Sequence, residues 1–346
     1  MVKTLPGRVR VKPSTAIVPI APSSPTELAE AIQEFTVASV APNTRRARAA
    51  DWKVFTSWCA VQEAETLPAP PKTVAEFLVS QVRAKKASAT IIRYSQSIAA
   101  VHRAAGHASP IGNEGVQLVL RGIRRTLGIR PQKQKAAFSA EVAETAVPGY
   151  VPSNKYQGAR DLALVLFGLA TAMRESEICA LDIEDLKPVG EGFLVDIKRS
   201  KTDQEGRGRL VAVKRLREEF AAFCPVRALE TWIALLGAKE GPIFRGLRKN
   251  GRPRPTRLLP GSVDAIVKRV VSSGGSYDAK KFAGHSLRAG YVTTARMEGI
   301  DWGTIMEQTG HKTMEGVKRY ARYAPDTFAA TRVEEVFRNA FRGRKG

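Results

Sequence analysis

A chain of 346 residues, 43% of them hydrophobic, is longer than one ordinary core and has enough apolar side chains to build two. Its 55 Lys and Arg against 33 Asp and Glu leave a formal charge of +22, well beyond what solubility requires and suited to a polyanionic partner such as DNA. Three scattered cysteines exclude a disulfide framework and a Cys-x-x-Cys metal site, no apolar run approaches the ~20 residues of a membrane span, and Met1 to Lys12 lacks a signal peptide's apolar centre, so the expected setting is a reducing cytoplasm.

In chain order, residues 1–23 carry Pro, Ser, Lys and Arg without helical period and read as a flexible basic leader. Ser24-Pro25-Thr26-Glu27 is a capping box that opens a first helix, with Leu28, Ile32 and Phe35 on one apolar face. A second helix is predicted from Asn43 or Thr44, with Trp52, Phe55 and Cys59 inward and Arg45, Arg46, Arg48 and Lys53 outward. A third, from about Lys72, turns Val74, Phe77, Leu78 and Val82 inward; a fourth, capped by Ser88, buries Ile91, Tyr94, Ile98 and Val101 and stops at Gly106. Asn113 caps a fifth with Val116, Leu120, Ile123 and Leu127 inside. These helices make one all-helical domain over 24–127. Its outward Arg83, Lys85, Lys86, Arg93, Arg121, Arg124 and Arg125 are each an ordinary solvated face, but together with the net charge they form a candidate DNA-binding surface.

Residues 128–138 are polar, basic and contain Pro131, which is linker chemistry. A mixed α+β domain is expected over 139–324. Its helix at 158–170 is apolar nearly all round and therefore central, and strands at Phe193 to Lys198 and Arg209 to Val213 flank a Gly-rich hairpin that carries Lys201. Further helices are predicted at 225–237, 261–272, 286–298, 301–309 and 313–322. Within 325–346, Thr327 begins a last helix with Ala329, Val333, Val336, Phe337 and Ala340 on one face. The fold class is thus mainly α with a small β-sheet. Residues 1–137 hold 20 basic and 8 acidic side chains and the rest 35 and 25, so both parts are basic, as two domains gripping one duplex would be.

The residues that carry chemistry are Arg174, Glu177, Lys201, His285, Arg288, His311 and Tyr320. Two arginine forks can each bind two phosphate oxygens, a lysine and two histidines can complete the shell, and a phenol can attack the phosphorus. In-line displacement at a phosphodiester gathers negative charge on the non-bridging oxygens, so fixed cations aimed there lower the barrier. Glu177, one helical turn after Arg174, orients that arginine or packs locally, because a carboxylate beside a phosphate would repel it.

The contexts of these residues resemble the tyrosine recombinase, or phage integrase, family. Thr171-Ala172-Met173-Arg174-Glu175-Ser176-Glu177-Ile178-Cys179-Ala180-Leu181 is similar to its first signature box. His285-Ser286-Leu287-Arg288 matches its His-x-x-Arg, Gly310-His311 its Gly-His or Gly-Trp, and Tyr320 follows nine residues later. Ala50 to Cys59, Gly122 to Arg125 and Ile243 to Gly251 look like the Cre recombinase branch, so the likeness covers about residues 25 to 341. Ala172 departs from the small glycine common before the first arginine. The resemblance implies a site-specific recombinase that needs no metal or other cofactor, with Arg174 and Arg288 clamping the scissile phosphate, Lys201 protonating the departing 5' oxygen and Tyr320 as nucleophile. Tyr323 is the rival for that role, Lys198 and Arg199 compete with Lys201, and these two with Arg248 and Lys249 are candidates for DNA contact. It further implies double-stranded DNA bearing an inverted-repeat site as partner, a tetramer on DNA built from a monomer free in solution, a Holliday junction, and a terminal helix passed to a neighbouring subunit. A type IB topoisomerase uses similar residues but shows Lys-x-x-Arg where this chain has His285 and Arg288. A DNA-binding protein without catalysis would not keep every reactive residue.

Overall fold

A computed structural model describes residues 24–129, 134–200, 203 and 205–321. The expected leader, residues 130–133 of the expected linker, Lys201, Tyr323 and the expected terminal helix lie outside the described residues. The chain divides into two compact units, 1–132 and 133–346.

In the first unit, α1 (Pro25–Ala38), α2 (Pro42–Val61), α3 (Pro71–Arg83), α4 (Ser88–Ala104) and α5 (Glu114–Leu127) follow one another. Pro25, Pro42 and Pro71 occupy first-turn positions, where a missing N–H costs nothing. The Ser24 hydroxyl accepts from the N–H of Glu27, whose carboxylate accepts from the N–H of Ser24; Asn113 caps α5 through the N–H of Gly115. Ser88 does not cap α4 as expected. Ala87 holds that place in extended backbone, its carbonyl takes the N–H of Ile91, and Ser88 turns inward as the first helical residue.

Helix α2 packs on α4 and α3 on α5, around Phe55, Val74, Phe77, Leu78, Ile91, Ile98, Val116 and Leu120. Phe77 meets the rings of Phe55 and Tyr94 at centroid distances of 5.1 and 5.8 Å. Helix α1 corrects another expectation: Leu28, Ile32 and Phe35 remain 52%, 66% and 74% exposed. Apolar period identifies a face, but burial needs a partner, and α2 to α5 close this core without α1. Arg93 has a second engagement, though its side chain stays 54% exposed. Its Nε and Nη2 donate to the buried Asp51 at 3.0 and 2.8 Å, so its fork also braces the helical unit.

The second unit runs through α6 (Ala140–Ala146), α7 (Lys155–Thr171), α8 (Glu175–Ala180), β1 (Leu186–Val189), β2 (Gly192–Ile197), β3 (Arg209–Lys214), α9 (Pro225–Leu236), β4 (Arg245–Leu247), β5 (Pro253–Arg257), α10 (Val263–Ser273), α11 (His285–Met297), α12 (Trp302–Thr309) and α13 (Met314–Lys318). Its strands form an antiparallel β1-β2-β3 sheet, with Val195 paired to Leu186 and Val211, and a β4-β5 pair. Helix α7 buries Ala163 to Phe167 and packs on α9, α10 and α11. Phe138, placed in the expected linker, is fully buried in this core, and its N–H donates to the Ser286 carbonyl, so the second unit's packing includes a residue before 139. That approach explains Gly290: a Cβ there would lie 1.8 Å from the Phe138 carbonyl oxygen. Among the described residues no helix is long and apolar enough to cross a membrane.

Candidate active site

Helix α7 ends at Ala172, which takes a left-handed conformation at φ +51°. This turn aims the Ala172 carbonyl inward, where it accepts from Nη1 of Arg288 at 2.7 Å. Two residues on, Arg174 caps α8 in extended backbone. Its N–H and Nη1 both donate to Glu177, at 3.1 and 2.5 Å, and Glu177 is only 3% exposed. The i,i+3 spacing thus gives a reciprocal hold: the carboxylate satisfies an orphan N–H of the helix and fixes the arginine fork.

Arg288 lies one turn into α11 and is 1% exposed. Its Nη2 lies 3.0 Å from Nε2 of His311, and its Nε is buried without a hydrogen-bond partner among the described residues. Burial first, and then the nearby Arg174 cation, push its pKa down to about 10. His311 follows Gly310, which ends α12 in left-handed backbone at φ +67°. The ring's Nδ1 is 2.7 Å from the Thr309 hydroxyl, which itself donates to the Ile305 carbonyl. Arg288 Nη2 also lies 3.2 Å from Nδ1, and because an arginine only donates, the ring beside it is held as a neutral imidazole. Burial and the cations of Arg288, Arg174 and Arg209 hold its pKa down at about 3.

Tyr320, just beyond α13, completes the cluster. Its ring centroid lies 5.3 Å from the Arg288 guanidinium carbon and 5.1 Å from the His311 ring. His285, at the first position of α11, is turned to Glu175 instead: Nδ1 and Oε1 are 2.5 Å apart, and the imidazole is largely exposed. That hydrogen bond raises its pKa against the opposing effect of burial. The structure therefore brings Arg174, Glu177, Arg288, His311 and Tyr320 of one chain together and holds His285 beside them through Glu175.

Sequence reasoning missed Arg209, Glu175 and Thr309. Arg209 starts β3 with its Nη2 3.7 Å from Glu177 and its Nη1 donating to the Gln308 carbonyl. A signal was present, since Arg209 falls in phase with Val211 and Val213, both buried. Arg174, Arg209 and Arg288 thus gather with one buried carboxylate, Glu177, which pairs with Arg174 and stands 3.7 Å from Arg209, an excess of positive charge in a sheltered place.

Of the candidate DNA-contact residues, Arg45, Lys85, Lys86, Arg121, Arg124, Arg125, Arg199, Arg248 and Lys249 are exposed and Arg48 is half-buried. Arg46 is exposed and bonded to the Asn43 side chain. Lys198 is exposed but paired with Asp185 at 2.5 Å, which raises its pKa.

Residues 150–326 match the model of the phage integrase family. An integrase/recombinase XerD homolog of Selenomonas ruminantium is 36% identical over 285 residues, covering 82% of this chain and 82% of that protein. Recombinase Cre of Escherichia phage P1 is 27% identical over 296 residues, covering 78% and 83%. Among solved structures, XerH site-specific recombinase in a post-cleavage complex with a palindromic difH substrate aligns with TM-score 0.57 at 20% identity, over 77% of this chain and 72% of that one. A lambda integrase dimer bound to a COC' core site aligns with TM-score 0.56 at 16% identity, over 85% and 94%. At such identities the two structures speak for the fold.

Proposed function

The chain belongs to the phage integrase family and is a tyrosine site-specific recombinase, and from that premise we propose the course of its reaction. Arg174 and Arg288 bind the non-bridging oxygens of one scissile phosphate. The Tyr320 oxygen attacks the phosphorus, forming a phosphotyrosine bond to the DNA 3' end, and the bond to the 5' oxygen breaks. The phenolic proton passes to a neighbouring base. His285 suits that role because Glu175 engages its Nδ1 and leaves Nε2 for the substrate. Lys201 gives the departing 5' oxygen its proton. The phosphotyrosine conserves the energy of the diester, so resealing onto a new 5' hydroxyl needs no ATP.

The observation that carries this reading is the excess of guanidinium charge beside a tyrosine ring: Arg174, Arg209 and Arg288 against Glu177, with Tyr320 over Arg288. Such a cluster repels itself unless an anion enters, and a backbone phosphate has the right charge and oxygen geometry.

Beyond this chemistry, the protein binds an inverted repeat in double-stranded DNA in the cytoplasm. The basic helical unit and the catalytic unit contact the duplex together. Four protomers, monomers when free, form a synapse and pass through a Holliday junction. The terminal helix read in 325–346 reaches a neighbour. An apolar groove of about 690 Å³ lined by Leu166, Leu169, Phe220, Phe223, Tyr291 and Ile300 supports that contact by its chemical match to the predicted stripe. A head-to-tail exchange of this kind closes into a ring.

The test is a duplex carrying the inverted repeat found beside the coding sequence, nicked within its spacer so that the cut strand diffuses away. Wild type should accumulate a covalent 3' complex, and Tyr320→Phe should form none. A trap that persists in Tyr320→Phe and vanishes in Tyr323→Phe would move the nucleophile. Sedimentation with two-site DNA that shows nothing larger than dimers would remove the synapse.

A further inference from the structure

One guanidinium touches both halves of the site. Arg209 opens β3 on the same face as the buried Val211 and Val213, and its own side chain is 21% exposed. Nη1 donates to the Gln308 carbonyl at 2.9 Å, one turn before His311, while Nη2 lies 3.7 Å from the Glu177 carboxylate that holds Arg174. Its stem runs against Gly310 so closely that a Cβ there would come within 2.8 Å of Nε. It also walls a cavity of about 290 Å³ shared with Ser200, Asp203, Gly310, His311 and Lys312.

We infer that Arg209 is a positioning residue for strand cleavage, tying the Arg174–Glu177 pair to the turn that carries His311; the inference rests on the phosphotyrosine reading above. A role in stability alone fits poorly. The 3.7 Å approach to Glu177 is no hydrogen bond, and Nη2 is buried with no hydrogen-bond partner among the described residues. An apolar side chain in phase with Val211 and Val213 would hold this corner without burying a charge. What the guanidinium adds is a fixed distance between the Glu177 carboxylate and the turn that carries His311, beside the ties that Arg288 makes to the Ala172 carbonyl and His311 and Gln308 makes to the Ala170 carbonyl, and a reacting phosphorus must lie in register with both segments. Arg209 also helps to keep His311 neutral.

The experiment uses full-length protein and the nicked inverted-repeat duplex, with single-turnover cleavage, affinity for uncleaved duplex and melting temperature measured together. Arg209→Met, an apolar chain of similar length, should melt at or above wild type and bind the duplex as wild type does, yet cleave roughly 100-fold more slowly, the scale of a misplaced reacting group. Arg209→Lys, keeping the charge without the fork, should recover part of that rate. In a double-mutant cycle with Glu177→Gln, the joint loss should be smaller than the product of the single losses, because the second change removes a contact already broken. Wild-type cleavage by Arg209→Met, or losses that multiply, would overturn the inference. A wild-type protein that forms no covalent complex would instead overturn the phosphotyrosine reading, an outcome distinct from either.

Discussion

Two guanidinium groups share the Asp161 carboxylate; at Glu177 one guanidinium is bonded, a second stands 3.7 Å away and a third, that of Arg288, turns elsewhere. At Asp161, Arg160 donates from Nε at 2.8 Å and pairs through Nη2 at 2.7 Å, Arg269 donates from Nε at 2.8 Å, and the Tyr150 hydroxyl donates at 2.6 Å. The donors converge on a carboxylate with no exposure, and burial together with that carboxylate pushes the Tyr150 pKa up. At Glu177, Arg174 is held twice, but Arg209 reaches only 3.7 Å, Arg288 turns to a histidine and a carbonyl, and Arg288 Nε and Arg209 Nη2 are buried without a hydrogen-bond partner among the described residues. Both clusters belong to one unit and both bury arginine. The first is satisfied from within, as a structural cluster should be, whereas in the second Arg209 holds the frame and Arg288 keeps a donor in reserve for an anion from outside.

Substitution should separate the two. Arg288→Ala is expected to slow single-turnover cleavage by about 10²- to 10³-fold while the folded protein still binds duplex. Asp161→Asn strands two cations and should cost about 3–5 kcal/mol in equilibrium urea unfolding, with little change in cleavage per folded molecule. If Asp161→Asn abolished cleavage in fully folded protein, the division between structural and functional arginines would not hold.

Acid and base should act on the site in opposite senses through its two histidines. His311 is held at about 3 when folded, whereas an unfolded imidazole titrates near ~6.5. Between those values the unfolded chain carries the extra proton, so stability falls as pH drops through that window. His285 is raised by Glu175, so its contribution is complete below the ordinary histidine pKa and is lost as pH rises through the raised value. Melting temperatures from about pH 4 to about pH 8 should show a flatter acid limb in His311→Asn and a flatter neutral limb in Glu175→Gln. Identical curves for all three proteins would contradict both assignments.

A smaller effect is expected at Ala172. Its left-handed backbone costs a non-glycine residue about 1–2 kcal/mol, offset in part by the ~0.5–1 kcal/mol of extra entropy that glycine loses on folding. Ala172→Gly should therefore stabilise by no more than about 1.5 kcal/mol in the same urea titration, and a loss would mean that the turn is not strained.

The second-unit helices were legible where apolar period was long. Helix α7 and the i,i+3 pairs Arg174–Glu177 and His285–Arg288 follow from spacing, because residues three apart share a face. Strands β1, β4 and β5 are three to five residues long and carry Pro188, Arg254 and Arg257, too little alternation to separate from loop. Helix α1 illustrates a different limit: Phe35 has the right period, yet a period does not reveal whether anything packs against it. Arg209 belongs to no motif, and Glu175 stands inside the first box without a role that the box assigns. Their importance comes from neighbours distant in sequence, Gln308 for one and His285 for the other, which only the folded chain brings close. Arg93 shows the converse, a basic residue on an outward face that a buried Asp51 claims.

The most direct test of the uncompensated arginine cluster replaces the scissile phosphate by a methylphosphonate, which has no negative charge to neutralise. If the guanidinium groups act on that charge, Arg288→Ala, slowed about 10²- to 10³-fold on the phosphate, should come within about tenfold of wild type on the methylphosphonate. An equal loss on both substrates would contradict the account.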